Sequence, residues 1–238
     1  MRFPKVLIFS PTYEGKEYCR ERFVDTVNKI QYPNKEFIMI DNSTSEDYFN
    51  LLKKEGVNVH RVPRGNNSRE ALSNAQNYAR RYAIENDFDY VLSVESDLFP
   101  PRDIIFKLMK HAKPVVGALY MLGGYYDPKS EKQFPTVPCV FVPKKDGTGG
   151  TRFVSKDEHK MMLEMGGIHQ VHGMGVGCTL IDISVVKKYP FWCDSRFDNK
   201  HSDVYFYMTL WNDKVPVYVD YDNEVEHQPS PWSIVDDK

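Results

Sequence analysis

Apolar residues follow two rhythms along the first half of the chain. Short unbroken runs occur at Val6-Leu7-Ile8-Phe9, Phe37-Ile38-Met39-Ile40, Tyr90-Val91-Leu92-Ser93-Val94 and Val115-Val116-Gly117-Ala118-Leu119-Tyr120. Runs with no polar face predict strands of a sheet covered on both sides. A fifth segment, Val57 to Val62, alternates like a strand. Between the runs the spacing is helical. Ala71, Leu72, Ala75, Tyr78, Ala79 and Tyr82 mark the clearest helix, with Asn67 and Glu70 at its start. A helix over residues 14–30 follows the first strand. Another opens at Ser43 and Glu46, which have capping-box spacing, carries Tyr48, Phe49, Leu51 and Leu52, and stops at Gly56. A further one follows Pro100-Pro101 with Ile104, Ile105, Leu108 and Met109.

Strand and helix alternating over about 120 residues predict an α/β fold, a mostly parallel central sheet with helices on both faces. Ligands in such sheets bind beyond the carboxyl ends of the strands. Tyr13-Glu14, Asp41 and Glu95 with Asp97 all fall just past predicted strands, so three polar clusters converge on one edge. The second half is less regular. Residues 135–142 and 151–155 are candidate strands, residues 168–173 and 176–183 a strand pair or one broken strand, and residues 202–212 a helix. Residues 215–219 form a last strand, placed at an edge by Pro216. Without a repeat or a linker, residues 1–238 form a single domain, with residues 1–122 and 123–238 as its two halves.

Composition narrows the function classes. The chain is 41% hydrophobic and 27% charged, which suits a globular domain. A net charge of -2 does not give the basic footprint of a dedicated nucleic-acid binder. No apolar run approaches the roughly 20 residues that span a bilayer, and the start lacks a leader pattern. The scattered Cys19, Cys139, Cys178 and Cys193 read as reduced thiols, with no C-x-x-C pair for zinc. These features place the protein in the cytoplasm.

Six short motifs carry the candidate chemistry: Ser10-Pro11-Thr12-Tyr13-Glu14, Asp41-Asn42-Ser43-Thr44, Glu95-Ser96-Asp97, Gly175-Val176-Gly177-Cys178, Ser202-Asp203 and His227. In this order they resemble the GT-A fold glycosyltransferase superfamily, especially the inverting family 2-like enzymes with a D-x-D motif. The resemblance covers roughly residues 4–230 and is strong only at these motifs. It implies a Rossmann-like nucleotide-sugar half and a smaller antiparallel acceptor-side region that also holds the C-terminal metal ligand.

The resemblance also implies roles. Glu95-Ser96-Asp97 resembles D-x-D with Glu in the first place. Hard cations take oxygen ligands, and one or two carboxylates plus phosphate oxygens suffice. Asp97 would then bind Mn2+ or Mg2+, and Glu95 would meet the metal through water or hold the ribose. His227 would complete the site, its imidazole favouring manganese over calcium. Pro11, Thr12, Tyr13 and Glu14 would cradle the base and ribose with Asp41, and Arg69 would reach the diphosphate or the base. Asp203 would be the general base for the acceptor hydroxyl, with Asp198 and Asp194 as runners-up. The donor would be a UDP- or GDP-sugar.

Each residue also has a plainer reading. Glu95 and Asp97 suit a turn before a helix, Asp41 a loop cap, Tyr13 a packing aromatic, Arg69 and His227 solvated surface. Ser202 or Asp203 suits a helix cap. His172 to Cys178 is glycine-rich but lacks the Lys-Ser/Thr of a P-loop. A nucleotidyltransferase would share the acidic half, but its Gly- and Arg-rich loop with a final Lys is missing from Ser10 to Glu14. A catalytically inactive nucleotide-sugar-binding domain is the other alternative. The acceptor stays open among glycan, lipid-linked sugar, protein and hydroxylated DNA base. Lys129, Lys132, Lys144, Lys145, Arg152, Lys156 and Lys160 form a loose basic rim that would suit modified DNA.

Overall fold

The computed structural model describes residues 2–124, 126–127, 131–144, 150–194 and 201–229. Its first half alternates as the apolar runs require: β1 (Val6–Thr12), a 3-10 turn (Glu14–Cys19), α1 (Arg20–Asn28), β2 (Lys35–Asp41), α2 (Asp47–Lys54), β3 (Val59–Arg61), α3 (Ser68–Glu85), β4 (Tyr90–Val94), β5 (Leu98–Phe99), α4 (Ile104–Met109) and β6 (Val115–Leu119). There follow β7 (Met121–Leu122), β8 (Tyr126–Asp127), β9 (Lys132–Gln133), β10 (Val137–Pro138), β11 (Val140–Pro143), β12 (Thr151–Phe153) and α5 (Lys156–Met165). The chain continues through β13 (Ile168–Val171), β14 (Gly173–Met174), β15 (Cys178–Asp182), α6 (Ile183–Lys188), α7 (Ser202–Asn212), β16 (Val217–Glu224) and β17 (Glu226–His227).

Eight strands form one sheet in the order β13-β16-β6-β15-β4-β1-β2-β3. β15 runs antiparallel to both β4 and β6, and β13 antiparallel to β16, while β1, β2, β3 and β4, and β6 with β16, pair in parallel. The sheet is thus mostly parallel. Side chains alternate across it, so β1 sends Leu7 and Phe9 to one core and Val6 and Ile8 to the other. The Leu7 side packs on α3, α5, α6 and α7 through residues such as Ala79, Met162, Val186 and Phe206. The Val6 side packs on α1, α2 and α4 through Phe23, Leu52 and Ile105. Helices therefore cover both faces. Beside the sheet lie small antiparallel pairings, including β12-β11-β14 and β17-β5.

α3 forms as its spacing predicts. Ala75, Ala79 and Ala83 make a small-residue stripe that lets the helix lie close on the sheet. Asn67 Oδ1 accepts from the N–H groups of Arg69 and Glu70, both at 3.0 Å, and so satisfies two otherwise orphaned donors. Asn67→Ala should lower stability by about 1 kcal/mol in a denaturant titration; an unchanged midpoint would show that water replaces the cap.

Three expectations change. The segment predicted as one helix over residues 14–30 opens as a 3-10 turn and becomes α-helical only at Arg20. The turn is set by Lys16 N–H bonding the Tyr13 carbonyl three residues back at 2.9 Å. Ser43 and Glu46 do not form a capping box, because α2 starts later and Ser43 Oγ is engaged with Asp41 and with the Glu14 N–H. Pro216 does not mark an edge: it precedes β16, which lies between β13 and β6 and needs no donor from it. In the less regular middle, Ser155 and Glu158 form a capping box that starts α5. Tyr125, most of the loop before Gly150, Asp198 and the residues from Ser230 on lie outside the described residues, as do Lys129 and Lys145 of the basic rim. Two others of that rim are engaged, Arg152 with Glu158 at 2.6 Å and Lys160 with Glu164 at 3.8 Å.

Candidate functional site

The carboxyl ends of β1, β2 and β4 meet at a cleft. Of the predicted residues, Pro11, Thr12, Tyr13, Glu95, Ser96 and Asp97 line it. Asn42 of the Asp41-Asn42-Ser43-Thr44 motif lines it too, as do Lys16, Arg64, Ser68 and His201, to which the sequence assigned no role.

Glu95 to Asp97 leave β4 in a turn fixed from both sides. The Glu95 N–H bonds the Gly177 carbonyl at 2.7 Å, and Leu98 N–H closes back on the Glu95 carbonyl at 3.0 Å. The approach of the 175–177 turn depends on its glycines. A Cβ at Gly175 would overlap the Tyr120 hydroxyl, and one at Gly177 would lie 2.6 Å from Leu98 Cδ1. Cys178 lies just beyond, wholly buried, as a filler of the core. β5 then pairs antiparallel with β17, which sets His227 opposite Leu98 and beside Asp97.

Asp97 is 1% exposed and collects charge. Its Oδ2 accepts from Lys16 Nζ at 2.5 Å and lies 3.3 Å from His227 Nε2. Burial opposes its ionisation, but the Lys16 ammonium and the His227 hydrogen bond win, and its pKa falls well below the usual range. His227 Nδ1–H donates to the Met121 carbonyl at 2.7 Å, which directs Nε2 toward Asp97. Burial lowers the His227 pKa, yet the contacts with Asp97 raise it overall. Burial among neighbours, then the Asp97 charge, push Glu95 up to about 7.

Asp203 stands at the start of α7, two residues after His201 of the cleft lining. Burial raises its pKa, against the opposing effects of His201 and of the Val204 N–H, which its Oδ1 accepts at 2.7 Å. Its charge is felt by Glu95. Ser202 is not the cap: it donates to Gln76 Oε1 at 2.5 Å and ties α7 to α3.

The remaining predicted residues brace the cleft from behind. Asp41 is wholly buried, and its Oδ1 accepts from the Ser43 N–H at 3.2 Å and the Ser43 hydroxyl at 2.5 Å. Glu14 holds Thr44 through its N–H at 3.2 Å and its hydroxyl at 2.7 Å. Arg69 is not in the lining; its Nε is buried with no hydrogen-bond partner. Arg64 takes the lip instead, its guanidinium 5.4 Å from the centre of the Tyr13 ring. It leaves the carboxyl end of β3 through Val62-Pro63, so the rule that ligands lie beyond strand ends could have found it.

Among the described residues no group of three His, Cys, Asp or Glu is gathered as a complete metal cage. The donor set still fits a hard or borderline cation that takes its other ligands from phosphate and water. Asp97 lines the cleft and His227, which is not part of the lining, approaches it from behind, while Asp97 Oδ1 is buried without a hydrogen-bond partner. None of the described helices is long and apolar enough to cross a membrane.

No family model and no curated protein matches the chain. Solved structures do match, and among them the crystal structure of A197 from STIV is 16% identical over 95% of this chain and 86% of that one, with a TM-score of 0.48.

Proposed function

We propose that the chain is a metal-dependent glycosyltransferase of the GT-A type, moving a sugar from a UDP- or GDP-sugar to an acceptor hydroxyl with inversion. The observation that carries this reading is the contact between Asp97, in the lining of a cleft at the carboxyl ends of the parallel strands, and His227, 130 residues away in sequence. The mostly parallel sheet and the small antiparallel pairings beside it support the GT-A arrangement.

In this reading the base lies against Tyr13 near the Arg64 guanidinium, and the diphosphate points to the cleft floor. Manganese or magnesium, held by Asp97 and His227, supplies neutralisation of the leaving diphosphate when bound. Glu95 holds the ribose or a water at that floor. Asp203 accepts the proton of the acceptor hydroxyl as its oxygen bonds the anomeric carbon and the bond from that carbon to the diphosphate breaks. The proton ends on the Asp203 carboxylate and the electron pair on the departing phosphate oxygen. Burial, which raises the affinity of Asp203 for a proton, suits it to that task. Inversion follows from a base and a leaving group on opposite faces of the sugar.

Incubation with UDP- and GDP-sugars and manganese, across glycan, lipid-linked, protein and hydroxylated-DNA acceptors, should release nucleotide in step with sugar transferred. The product's anomeric configuration, read by NMR, should be opposite to the donor's. Retention would remove the single-displacement scheme, and no binding or release with any donor would remove the glycosyltransferase reading.

A further inference from the structure

The acidic floor of the cleft carries a cation of the chain's own. Lys16 sits on the 3-10 turn just past β1, its carbonyl accepting from the Cys19 thiol at 3.3 Å. Its side chain crosses to Asp97 Oδ2 at 2.5 Å and lines the cleft while being only 10% exposed. Lysines this enclosed need a countercharge, which Asp97 provides. An enclosed ion pair, however, adds little net stability compared with apolar packing. Stability alone therefore does not account for a lysine at the floor of an open cleft. Two more positive features face the same space. Arg64 stands at the lip over Tyr13. The 18-residue α3 points its amino end inward, with Ser68, Ala71 and Leu72 in the lining. An ammonium, a guanidinium and a helix amino end around one cavity are complementary to a polyphosphate.

We propose that Lys16 docks the diphosphate of the incoming ligand, its ammonium bridging Asp97 and a phosphate oxygen. Part of the grip on the leaving group then belongs to the chain itself and persists without a metal. An ammonium carries three donors on a flexible stem, so it can serve a carboxylate and a phosphate together. The proposal deepens the glycosyltransferase reading and takes from it the identity of the ligand as a nucleoside diphosphate. The docking chemistry is that of any diphosphate.

The test is calorimetric titration in EDTA of the wild-type protein, Lys16→Met and Lys16→Arg with inorganic pyrophosphate, UDP and uridine, with folding followed by thermal melting. Pyrophosphate and UDP should bind the wild type and weaken by about 10-fold or more in Lys16→Met, as for a lost charge-assisted hydrogen bond. Lys16→Arg should keep most of the affinity, and uridine should not distinguish the three. Lys16→Gln, which keeps a donor for Asp97, replaces Lys16→Met should the latter not fold, and the same loss is expected. Equal binding by the wild type and a folded, uncharged variant overturns the docking role and leaves the glycosyltransferase reading standing. Lysine-dependent pyrophosphate binding by a protein that turns over no sugar donor keeps the docking role and overturns the glycosyltransferase reading. Failure of the wild type to bind either anion in EDTA overturns the proposal.

Discussion

Asp97→Asn should abolish metal-stimulated sugar transfer, with turnover falling by about 100-fold or more, on the scale of losing one preorganised electrostatic group. The substitution keeps shape and volume and removes only charge. Asp97 is 1% exposed and faces two donors, Lys16 Nζ at 2.5 Å and His227 Nε2 at 3.3 Å. An amide there turns its own donor toward one of them or offers a neutral oxygen to both. Its neutral oxygens are also poorer ligands for a divalent cation. A second effect accompanies the first: Lys16 keeps a buried charge without its partner, which typically costs about 3–5 kcal/mol. The two effects are separated by the double variant Lys16→Met with Asp97→Asn. Removing both charges should restore most of the melting temperature and none of the transfer, because stability depends on the pair and catalysis on the carboxylate. Manganese-stimulated transfer at the wild-type rate in folded Asp97→Asn would end the assignment of this residue to the metal.

The strands were legible because a strand covered on both faces can hold almost no polar residue. Val6 to Phe9 and Val115 to Leu119 are buried throughout. α3 was legible because one face is a regular stripe and its cap is a local interaction of Asn67. α5 was not, since Met161, Leu163 and Met165 are exposed and only Met162 is buried, which leaves no stripe to read. Its one local signal is the Ser155 and Glu158 capping box. α6 spans 6 residues, too few for a period to show. The site divides along the same line. Pro11 and Thr12 end β1, Tyr13 follows it, and Glu95 to Asp97 follow β4, so strand ends located them. Lys16 and Arg64 lie a few residues past β1 and β3, so the same rule reaches their neighbourhood, but the reach of a long side chain into the cleft leaves no mark in local spacing. Glu14 and Asp41 follow strands too, yet their carboxylates turn to the loop of Ser43 and Thr44. Position past a strand end therefore selects a neighbourhood, and the competition between backbone donors and the cleft decides which side chains face it.

Asp203→Asn should lower turnover by about 100-fold or more, the usual span for loss of a general base, with UDP affinity unchanged. Asparagine can still accept the Val204 N–H that Asp203 Oδ1 accepts at 2.7 Å, so α7 should keep its start and the protein its stability. The pH profile carries the decisive information. A base works deprotonated, so the rate climbs with pH through its pKa. Burial raises that pKa against the opposing effects of His201 and the backbone, so the acid limb should lie above the ordinary aspartate range. Glu95 also titrates there, lifted to about 7 by burial and then by the Asp97 charge, with Asp203 adding to the rise. Glu95→Gln tells the two apart. If Asp203 is the base, the limb persists, because burial and not Glu95 raises it, and Glu95 is the group that feels the Asp203 charge. If the limb belongs to Glu95, the same substitution erases it. A folded Asp203→Asn that transfers sugar within a few-fold of the wild type, along the same pH curve, would take proton abstraction away from Asp203.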